Sequence, residues 1–530
     1  MLPVIVVGGG PVGMVAALLL AGHGVPSVVL ESAPARRTVG SRSICMQRDV
    51  LDVLERVGLG SRIAAAGVTW WTGRTYYREH EVLTITFPEQ PAAAFPPFTN
   101  IGQSIVERML DRQVAAEPLV DVRWGHTATG LRQDGDGVDV TATTAATTTT
   151  TVAGGTRATV RGTHCVAADG ARSAVRDLLG LDFAGESFDD QFLIADVRAR
   201  LPFAAERRFF FDPAWNPDRQ VLVHPQPDDV WRIDWQVPQG FDLAAERANG
   251  GLDRRIRMVV GKADYELVWV SAYRFHQRCV PRMRVGRVLL AGDAAHVMSP
   301  FGARGLNSGI QDAENAAWKI AFERAGQGGP ALLPSYDAER RAAALENLAV
   351  TGATMRFLVP RTPAEREHRR SVLAAAVHDR DARARIDSGR LAEPFCYLDS
   401  PLTTPPPAER LAAFPSAPGA ARPPVAGVLC PDAPLRGGGR LRRLFGSAFT
   451  VLSADGSGSV GPTSGAEQGW MAVHEVPLDG LADGGRLARA LGIEGGGAAL
   501  VRPDGHLAAV LPGRAGLAGA LRRATGWATG

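Results

Sequence analysis

The segment that decides the fold is VIVVGGGPVGMVAALLLAGHGVPSVVLE, residues 4–31. Its apolar run predicts a buried strand, a glycine-rich turn follows, and apolar residues then resume at helical spacing. Gly8, Gly10 and Gly13 give this turn the pattern GxGxxG. The first glycine permits a tight bend, the second lets a pyrophosphate approach the backbone, and the third lets helix and strand pack closely. The segment therefore predicts a dinucleotide-binding βαβ unit, with a ligand-free glycine turn as the alternative.

The acid at the end of the second predicted strand narrows the choice of dinucleotide. Glu31 can accept hydrogen bonds from both hydroxyls of a ribose, and its charge disfavours a 2′-phosphate. The site is therefore expected to hold FAD or NAD and not NADP. Pro11, Val12 and Ser32 flank the same turn and strand end, and they join the predicted cofactor-binding residues.

Composition argues against several other classes of protein. A chain of 530 residues is expected to form two or three domains. A formal net charge of +3 provides no broad basic field for nucleic acid, and no stretch suggests a membrane span. The five cysteines are scattered and never spaced as CxxC, which predicts a cytoplasmic protein without a disulfide framework or a metal site.

A second glycine-rich stretch decides between FAD and NAD. VGRVLLAGDAAHVMSPFGARGLNSGIQDAENAAWKIA, residues 285–321, predicts a strand that ends at Gly292 and Asp293, a loop, and a long helix. Asp293 can bind the hydroxyls of a second, extended half of the cofactor, and the helix N-terminus can stabilise an anionic reduced flavin ring. NAD has no such second half, so FAD is expected; the alternative is an aspartate-capped helix. The predicted contacts in the loop and first helical turn are Pro300, Gly302, Gly305, Leu306 and Asn307.

Three motifs now stand in one order: GGGPVG with Glu31, CVAADGARSAVR at residues 165–176, and LLAGDAAHVMSPFGARGLN at residues 289–307. Together they resemble the FAD-dependent aromatic hydroxylases, the single-component flavoprotein monooxygenases, over roughly residues 3–350. The resemblance implies that Asp169 lies near the pyrophosphate and the visiting nicotinamide nucleotide. It further implies that Arg42 pairs with the FAD pyrophosphate and that Gln103 lies on the cofactor side of the active site.

The resemblance also implies a domain organisation. The fold class is α/β, with a Rossmann-like FAD-binding domain, an inserted antiparallel-sheet substrate domain and a C-terminal thioredoxin-like domain of the phenol and polyketide hydroxylase branch. That last domain lacks CxxC, so a structural or dimer-contact role is expected. The predicted boundaries are 1–182 and 279–400 for the FAD-binding domain with its helical segment, 183–278 for the substrate domain, 401–427 for a Pro-rich linker and 428–530 for the C-terminal domain.

The resemblance implies a chemistry as well. Noncovalent FAD, reduced by NADPH or NADH, reacts with O₂ to give a C4a-hydroperoxide that hydroxylates a small phenolic or polyketide-like aromatic. Baeyer–Villiger or epoxidising oxygenation on the same scaffold, and a flavin-binding protein that does not turn over, remain alternatives. The identity of the substrate, the choice between NADH and NADPH, and the oligomeric state, with a homodimer as one option, stay open.

The sequence also suggests catalytic residues and residues of a substrate pocket. Pro300 and Arg304 are expected to support the flavin, Arg304 as a cation for the reduced ring, and His224 is a candidate acid or base. In VWRIDWQV, residues 230–237, alternation places Trp231 and Trp235 on one face of a strand and residues 232, 234 and 236 on the other. Both tryptophans and Phe211 are predicted to line the substrate pocket. The phenol hydroxylase branch carries an aspartate near the position of Ile44, so the phenol-activating group of this chain is left unidentified.

Overall fold

The computed structural model describes residues 1–36, 43–87, 93–144, 156–390, 393–412, 414–415, 422–454 and 473–528. The predicted contact Arg42 lies outside these residues, as do residues 145–155 of a threonine-rich stretch that begins at Thr141. The strands are β1 Val4–Val7, β2 Ser27–Glu31, β3 Cys45–Gln47, β4 Val68–Thr69, β5 Thr72–Tyr77, β6 His80–Thr86, β7 Phe98–Asn100, β8 Val120–Trp124, β9 His126–Gln133, β10 Val138–Thr144, β11 Arg157–Gly162, β12 Cys165–Ala167, β13 Ala184–Arg198, β14 Arg207–Phe211, β15 Gln220–Pro225, β16 Val230–Val237, β17 Glu266–Cys279, β18 Arg284–Val285, β19 Val288–Leu290, β20 His296–Val297, β21 Phe449–Ser453, β22 Val473–Pro477, β23 Ala498–Val501 and β24 Leu507–Leu511.

Helices alternate with these strands in the first part of the chain and dominate its middle. They are α1 Pro11–Gly22, α2 Arg48–Arg56, α3 Gly60–Ala66, α4 Gln103–Ala115, α5 Ala174–Leu178, α6 Leu243–Ala248, α7 Gly251–Val260, α8 Gly305–Arg324, α9 Pro334–Leu358, α10 Pro363–Ala376, α11 Arg380–Arg383, α12 Ala408–Ala412, α13 Arg486–Leu491 and α14 Leu517–Ala524. Among the described residues, no helix is both long enough and apolar enough to cross a membrane.

A six-stranded sheet forms the centre of the first unit, in the order β18-β19-β12-β1-β2-β8. The five strands from β19 to β8 are mutually parallel, and the two-residue edge strand β18 is antiparallel. The central strands are continuous apolar runs because both faces of a parallel sheet are covered by helices. Helices α1 and α8 pack against each other where a Cβ added at Gly309 would lie 2.7 Å from the side chain of Val12.

An eight-stranded, largely antiparallel sheet forms the second unit, in the order β20-β17-β13-β16-β15-β14-β5-β6. Strands β5 and β6 and the short β20 belong to this sheet, so it extends beyond the range 183–278. Its two faces pack on different partners. One face carries Ile233 and packs with Leu252 and Ile256 at helix α7; we call this the outer face. The other, the inner face, carries Phe209 and packs with Phe301.

The C-terminal residues form a four-stranded sheet in the order β22-β21-β23-β24, in which β21 and β22 are parallel and the other pairs antiparallel. This sheet packs directly on the first unit. The ring of Phe449 on β21 lies 6.0 Å from that of Trp318 and 5.7 Å from that of Phe322, both on α8. The described chain is thus a mixed α/β protein, in which α8 contacts both the parallel sheet and the C-terminal sheet.

Candidate cofactor and substrate site

The predicted cofactor residues from distant parts of the chain meet at one edge of the parallel sheet. Strand β1 lies between β2 and β12, and β12 pairs with β19, all in parallel. The carboxyl ends of these strands therefore lie side by side, followed respectively by Gly8, Ser32, Asp169 and Gly292. Ligands of open α/β sheets bind outside the carboxyl ends of the strands.

The glycine turn after β1 has the geometry that a dinucleotide requires. Gly8 has φ +106°, and a Cβ there would lie 2.3 Å from the carbonyl oxygen of Ala168. A Cβ at Gly13 would lie 2.0 Å from the carbonyl oxygen of Gly8, so helix and strand are in direct contact. At Gly10 an added Cβ would meet no atom within 4 Å. Among the described residues, space is therefore open at the N-terminus of α1, and Gly10 provides no side chain to cap it.

Glu31 is held beside this turn by three hydrogen bonds. Its Oε2 accepts from the backbone N–H of Gly9 at 2.7 Å, and its Oε1 accepts from the backbone N–H of Ala33 at 2.8 Å and the hydroxyl of Ser32 at 3.2 Å. The carboxylate is only half-buried. It is therefore fixed at the strand end with accepting capacity left for a ribose hydroxyl.

In the glycine-rich stretch at 285–321, the turn after β19 is held by a buried carboxylate that the sequence analysis missed. Asp312 lies one turn beyond Gly309 on α8, where its Oδ2 accepts from the backbone N–H of Gly292 at 2.9 Å and contacts His296 Nε2 at 2.7 Å. Its Oδ1 accepts from Arg340 Nε at 2.6 Å. Burial opposes the charge, but His296 and Arg340 prevail and lower the pKa of Asp312. An acid on the buried side of a predicted helix was the available signal.

Asp293, which follows Gly292, has an exposed side chain. The strand-end turn beneath it is held by Asp312, while the neighbouring His296 is 1% exposed and belongs to the same buried group. This arrangement presents Asp293 outward at the edge where Gly8 and Glu31 also lie.

The loop at residues 300–305 leads into an open helix N-terminus. Pro300 is exposed. Gly302 has φ +91°, and a Cβ added there would lie 2.2 Å from the carbonyl oxygen of Arg390. No described side chain caps α8, and an added Cβ at Gly305 would meet no described atom within 4 Å. Asn307 fixes the loop, because its Nδ2 donates to the carbonyl oxygen of Cys45 at 2.9 Å and its Oδ1 accepts from the backbone N–H of Gln47 at 3.1 Å. Leu306 is partly buried against the main core.

Asp169 and Gln103, two further predicted cofactor residues, are each held by hydrogen bonds within the chain. The Asp169 carboxylate accepts from the hydroxyl of Ser173 at 2.5 Å and from the backbone N–H of Val175 at 3.0 Å, and burial raises its pKa. Gln103 begins α4 and donates to Glu107 at 2.8 Å. It also accepts from the backbone N–H of Ser43, next to the undescribed residues that contain Arg42.

Arg304 and His224, two predicted catalytic groups, have different surroundings. The Arg304 guanidinium donates to Asn347 on α9 and, at 3.1 Å, to the carbonyl oxygen of Arg390. Burial, then the charge of Arg390, lowers the pKa of Arg304 to about 10, so it remains a cation. His224 lies on the inner face, where its Nδ1 is buried without a partner in the described structure. Burial and nearby Arg207 lower the pKa of His224 to about 3, so its ring is neutral near pH 7.

The structure separates Phe211 from Trp231 and Trp235, the three residues predicted to line the substrate pocket. The predicted alternation along β16 is present, but Trp231 and Trp235 lie on the outer face, in the layer packed against α7. Phe211 lies on the inner face in the cluster that contains Phe301. The aromatic side of β16 is covered by helices, and its polar side is the one that faces the loop at 300–305.

The polar inner-face residues of β16 were therefore missed as pocket candidates. Arg232 forms a two-pronged ion pair with Asp196, with both N–O distances 2.8 Å. Asp234 follows on the same face, and its Oδ1 is buried without a hydrogen-bond partner in the described structure. The alternation in VWRIDWQV was the signal that could have found both residues.

These features fit FAD. The open glycine at Gly10 and the uncapped start of α1 suit a pyrophosphate, and Glu31 suits a ribose. Asp293 and the uncapped start of α8 are the corresponding groups for the ribityl chain and the flavin ring. No cluster of potential metal ligands occurs within the described residues.

Comparison with known proteins places this geometry in a family. Residues 1–351 match the family described as FAD binding domain. The chain is 33% identical over 367 residues to a rifampicin monooxygenase of Streptomyces venezuelae, covering 68% of this chain and 72% of that one. It is 30% identical over 350 residues to a 3-(3-hydroxy-phenyl)propionate/3-hydroxycinnamic acid hydroxylase of Mycobacterium avium, covering 64% of this chain but only 58% of that relative's length.

Among solved structures, the flavin-dependent monooxygenase PieE, in complex with FAD and substrate, has the same fold. It is 23% identical, with a TM-score of 0.80 over 99% of both chains. The family match covers well over half of the 530 residues and includes every described cofactor residue discussed above. The chain therefore belongs to the FAD binding domain family, whose members among its relatives are flavin-dependent monooxygenases.

Proposed function

We propose that the protein is an FAD-dependent monooxygenase that uses NAD(P)H and O₂ to hydroxylate a phenolic or polyketide-like aromatic compound. The observation that carries the proposal is the meeting of Glu31, Asp293 and the uncapped start of α8 at one sheet edge, opposite the inner face of a second sheet. A relative named as a hydroxylase of aromatic acids favours hydroxylation over Baeyer–Villiger or epoxidising oxygenation.

Each part of the chain has a task in this proposal. Residues 8–13, with Glu31, hold the nucleotide half of FAD, and Asp293 with the start of α8 holds the flavin half. Bound FAD supplies electron transfer and the activation of O₂. The protein orients the aromatic ring against the flavin and excludes water from the reacting atoms. The apolar cluster of Phe192, Phe209 and Phe301 is suited to excluding water.

The proposal extends to the domain arrangement. The strand order β22-β21-β23-β24, with one parallel and two antiparallel pairs, supports a thioredoxin-like C-terminal domain. Cys430 is free and buried, so a structural role is proposed for that domain. All five cysteines are free, which supports the proposed cytoplasmic location.

The test is to purify the protein, precipitate it with acid and assay the supernatant for FAD. The flavin-loaded protein is then mixed with NADH or NADPH and a panel of phenols and polyketide-like aromatics. We expect released FAD, and reductant consumption that rises with one class of aromatic and yields a product heavier by one oxygen atom. Protein without FAD, or FAD-loaded protein that consumes no reductant with any member of the panel, would refute the proposal.

A further inference from the structure

A row of polar side chains crosses the inner face of the second sheet on β16. Cross-strand pairing places Arg232 opposite Asp196 on β13 and opposite His224 on β15. Asp234 follows two residues later, between Ile194 on β13 and Leu222 on β15. Alternation ensures that all of these residues share one face of the sheet.

The polar side chains on either side of Asp234 already have hydrogen-bond partners. Arg232 is paired with Asp196 through two hydrogen bonds of 2.8 Å. Gln236, two residues further on, donates to Asp190 and accepts from the backbone N–H of Gln220. These contacts commit the neighbours of Asp234 to partners within the sheet.

Asp234 differs from its neighbours because no described group donates a hydrogen bond to its side-chain carboxylate. Its Oδ1 is fully buried without a partner, yet the residue as a whole is partly exposed. Its direct cross-strand neighbours, Ile194 and Leu222, are apolar and cannot donate. A buried carboxylate oxygen without a donor is costly, so among the described residues Asp234 is left with an oxygen that can accept a hydrogen bond from a bound molecule.

The open side of Asp234 faces the cofactor-side loops. Leu222 packs in the same cluster as Phe301, which is part of the loop at 300–305. Further along β15, the carbonyl oxygen of Pro225 accepts from Asn100 Nδ2 at 2.9 Å, immediately before the segment that leads to Gln103. Asp234 therefore lies on the face of the sheet that packs toward the loop at 300–305, which is predicted to hold the flavin.

We propose that Asp234 binds the hydroxyl group of the phenolic substrate and accepts its proton during hydroxylation. The inference rests on the proposed function and supplies the phenol-activating group that the sequence left unidentified at Ile44. In this step the phenolic O–H bond breaks, the proton moves to an oxygen of Asp234, and the electron pair stays on the phenolic oxygen. The ring becomes more electron-rich, which favours its attack on an electrophilic oxygen, and the proton is released after product leaves.

The charges around Asp234 set the pH at which it can act. Burial raises the pKa of Asp234 to about 7, with Arg232 lowering and Asp196 raising it. On β15, His224 is neutral, and Arg207 on β14 remains a cation because burial lowers its pKa only to about 10. A base must be deprotonated, so kcat/KM is expected to rise with pH and to level off above about pH 7.

The experiment compares Asp234→Asn, Asp234→Glu and wild type with a phenol that the wild-type enzyme hydroxylates. Asp229→Asn is the matched control, because Asp229 is an exposed aspartate just before the same strand. FAD content and thermal unfolding are measured for every variant, and kcat/KM for hydroxylation is measured across pH. We expect Asp234→Asn to lose about a hundredfold or more in kcat/KM and to lose the rise with pH. Asp234→Glu should keep the rise, and Asp229→Asn should match wild type.

The inference is overturned if Asp234→Asn retains kcat/KM within about threefold and retains the rise with pH. If Asp234→Asn fails to fold or to bind FAD, the wild-type and Asp234→Glu profiles decide. A flat profile in both then overturns the inference. A wild-type enzyme that loads FAD but hydroxylates no phenol would instead refute the proposed function, and the two failures are distinguishable on that basis.

Discussion

Replacing Arg502 with methionine should weaken the contact between the C-terminal sheet and the rest of the molecule, and should therefore lower the free energy of unfolding. Arg502, on the loop after β23, donates to both carboxylate oxygens of Glu339 on α9, at 2.6 and 2.9 Å. It also donates to Asp504, which in turn accepts from Trp318 Nε1 at 3.1 Å. Lys319 Nζ donates to Glu339 at 2.6 Å. The side chains of these four charged residues are at most 2% exposed.

The magnitude follows from the charges left behind. The group of Lys319, Glu339, Arg502 and Asp504 has two positive and two negative charges, so it is neutral as a whole. Burial opposes the charge on Glu339, but Arg502 and Lys319 lower its pKa well below the usual range. Without Arg502, two buried carboxylates share one ammonium group. Breaking a buried pair in this way costs about 3–5 kcal/mol of unfolding free energy.

The assay is urea unfolding of the flavin-loaded protein, followed by fluorescence, with Arg489→Met as the control. Arg489 belongs to the same unit, but its pair with Glu494 is 3.8 Å long and both side chains are more than half exposed. We expect the control to unfold as wild type does, because exposed pairs contribute little. An Arg502→Met protein that unfolds within about 1 kcal/mol of wild type would refute the reasoning.

The pH dependence provides a second check on the same variant. In wild type the depressed pKa of Glu339 contributes stability above its unfolded value, about 4.3, and this contribution is lost as pH falls through the folded value. In the variant Glu339 and Asp504 lose Arg502 as a partner, so the pKa values of both carboxylates rise. Protonation then removes their uncompensated negative charge at a higher pH than in wild type. The gap in unfolding free energy between the two proteins should therefore narrow on acidification from pH 7 to about pH 4.

Three further predictions concern the cofactor and the substrate. Glu31→Ala should weaken FAD binding about ten- to a hundredfold, because a hydrogen bond to a charged group is worth roughly 1.5–3 kcal/mol; an unchanged dissociation constant in a fluorescence titration would contradict the ribose assignment. Trp235→Phe should lower the melting temperature but leave KM for the aromatic unchanged, since Trp235 lies on the outer face; a changed KM would place it in the pocket. A true substrate should accelerate anaerobic flavin reduction by NAD(P)H about tenfold, which needs only about 1.4 kcal/mol of differential affinity; equal stopped-flow rates with and without substrate would exclude such gating.

The cofactor edge could be predicted because its determinants are local. Gly8, Gly13 and Glu31 each act within one βαβ unit, so their spacing in the sequence reflects their geometry. Helical spacing in the stretch that follows Asp293 likewise indicates the long helix α8. The ends of four parallel strands then bring these segments together without any further information from side chains.

The substrate side could not be predicted in the same way, since alternation identifies two faces of a strand but not what covers them. Alternation places Trp231 and Trp235 on one face of β16, but only the structure shows that helix α7 packs against that face. Only the packing of the whole sheet shows that the polar face of β16, which carries Asp234, is directed toward Phe301. The buried charges at Asp312 and Glu339 depend on partners far along the chain, such as Arg502, 163 residues from Glu339. No periodic pattern encodes such pairs.

The most direct test of the proposed activity is the origin of the oxygen atom in the product. Flavin-loaded protein, NAD(P)H and an aromatic substrate are incubated under O₂ enriched in a heavy oxygen isotope, and the product is analysed by mass spectrometry. An FAD-dependent hydroxylase incorporates one atom from O₂, so the product should carry one heavy oxygen on its ring, in an amount that matches the reductant consumed. Reductant consumption that yields only hydrogen peroxide with every aromatic tested, or a product whose new oxygen comes from water, would contradict the account.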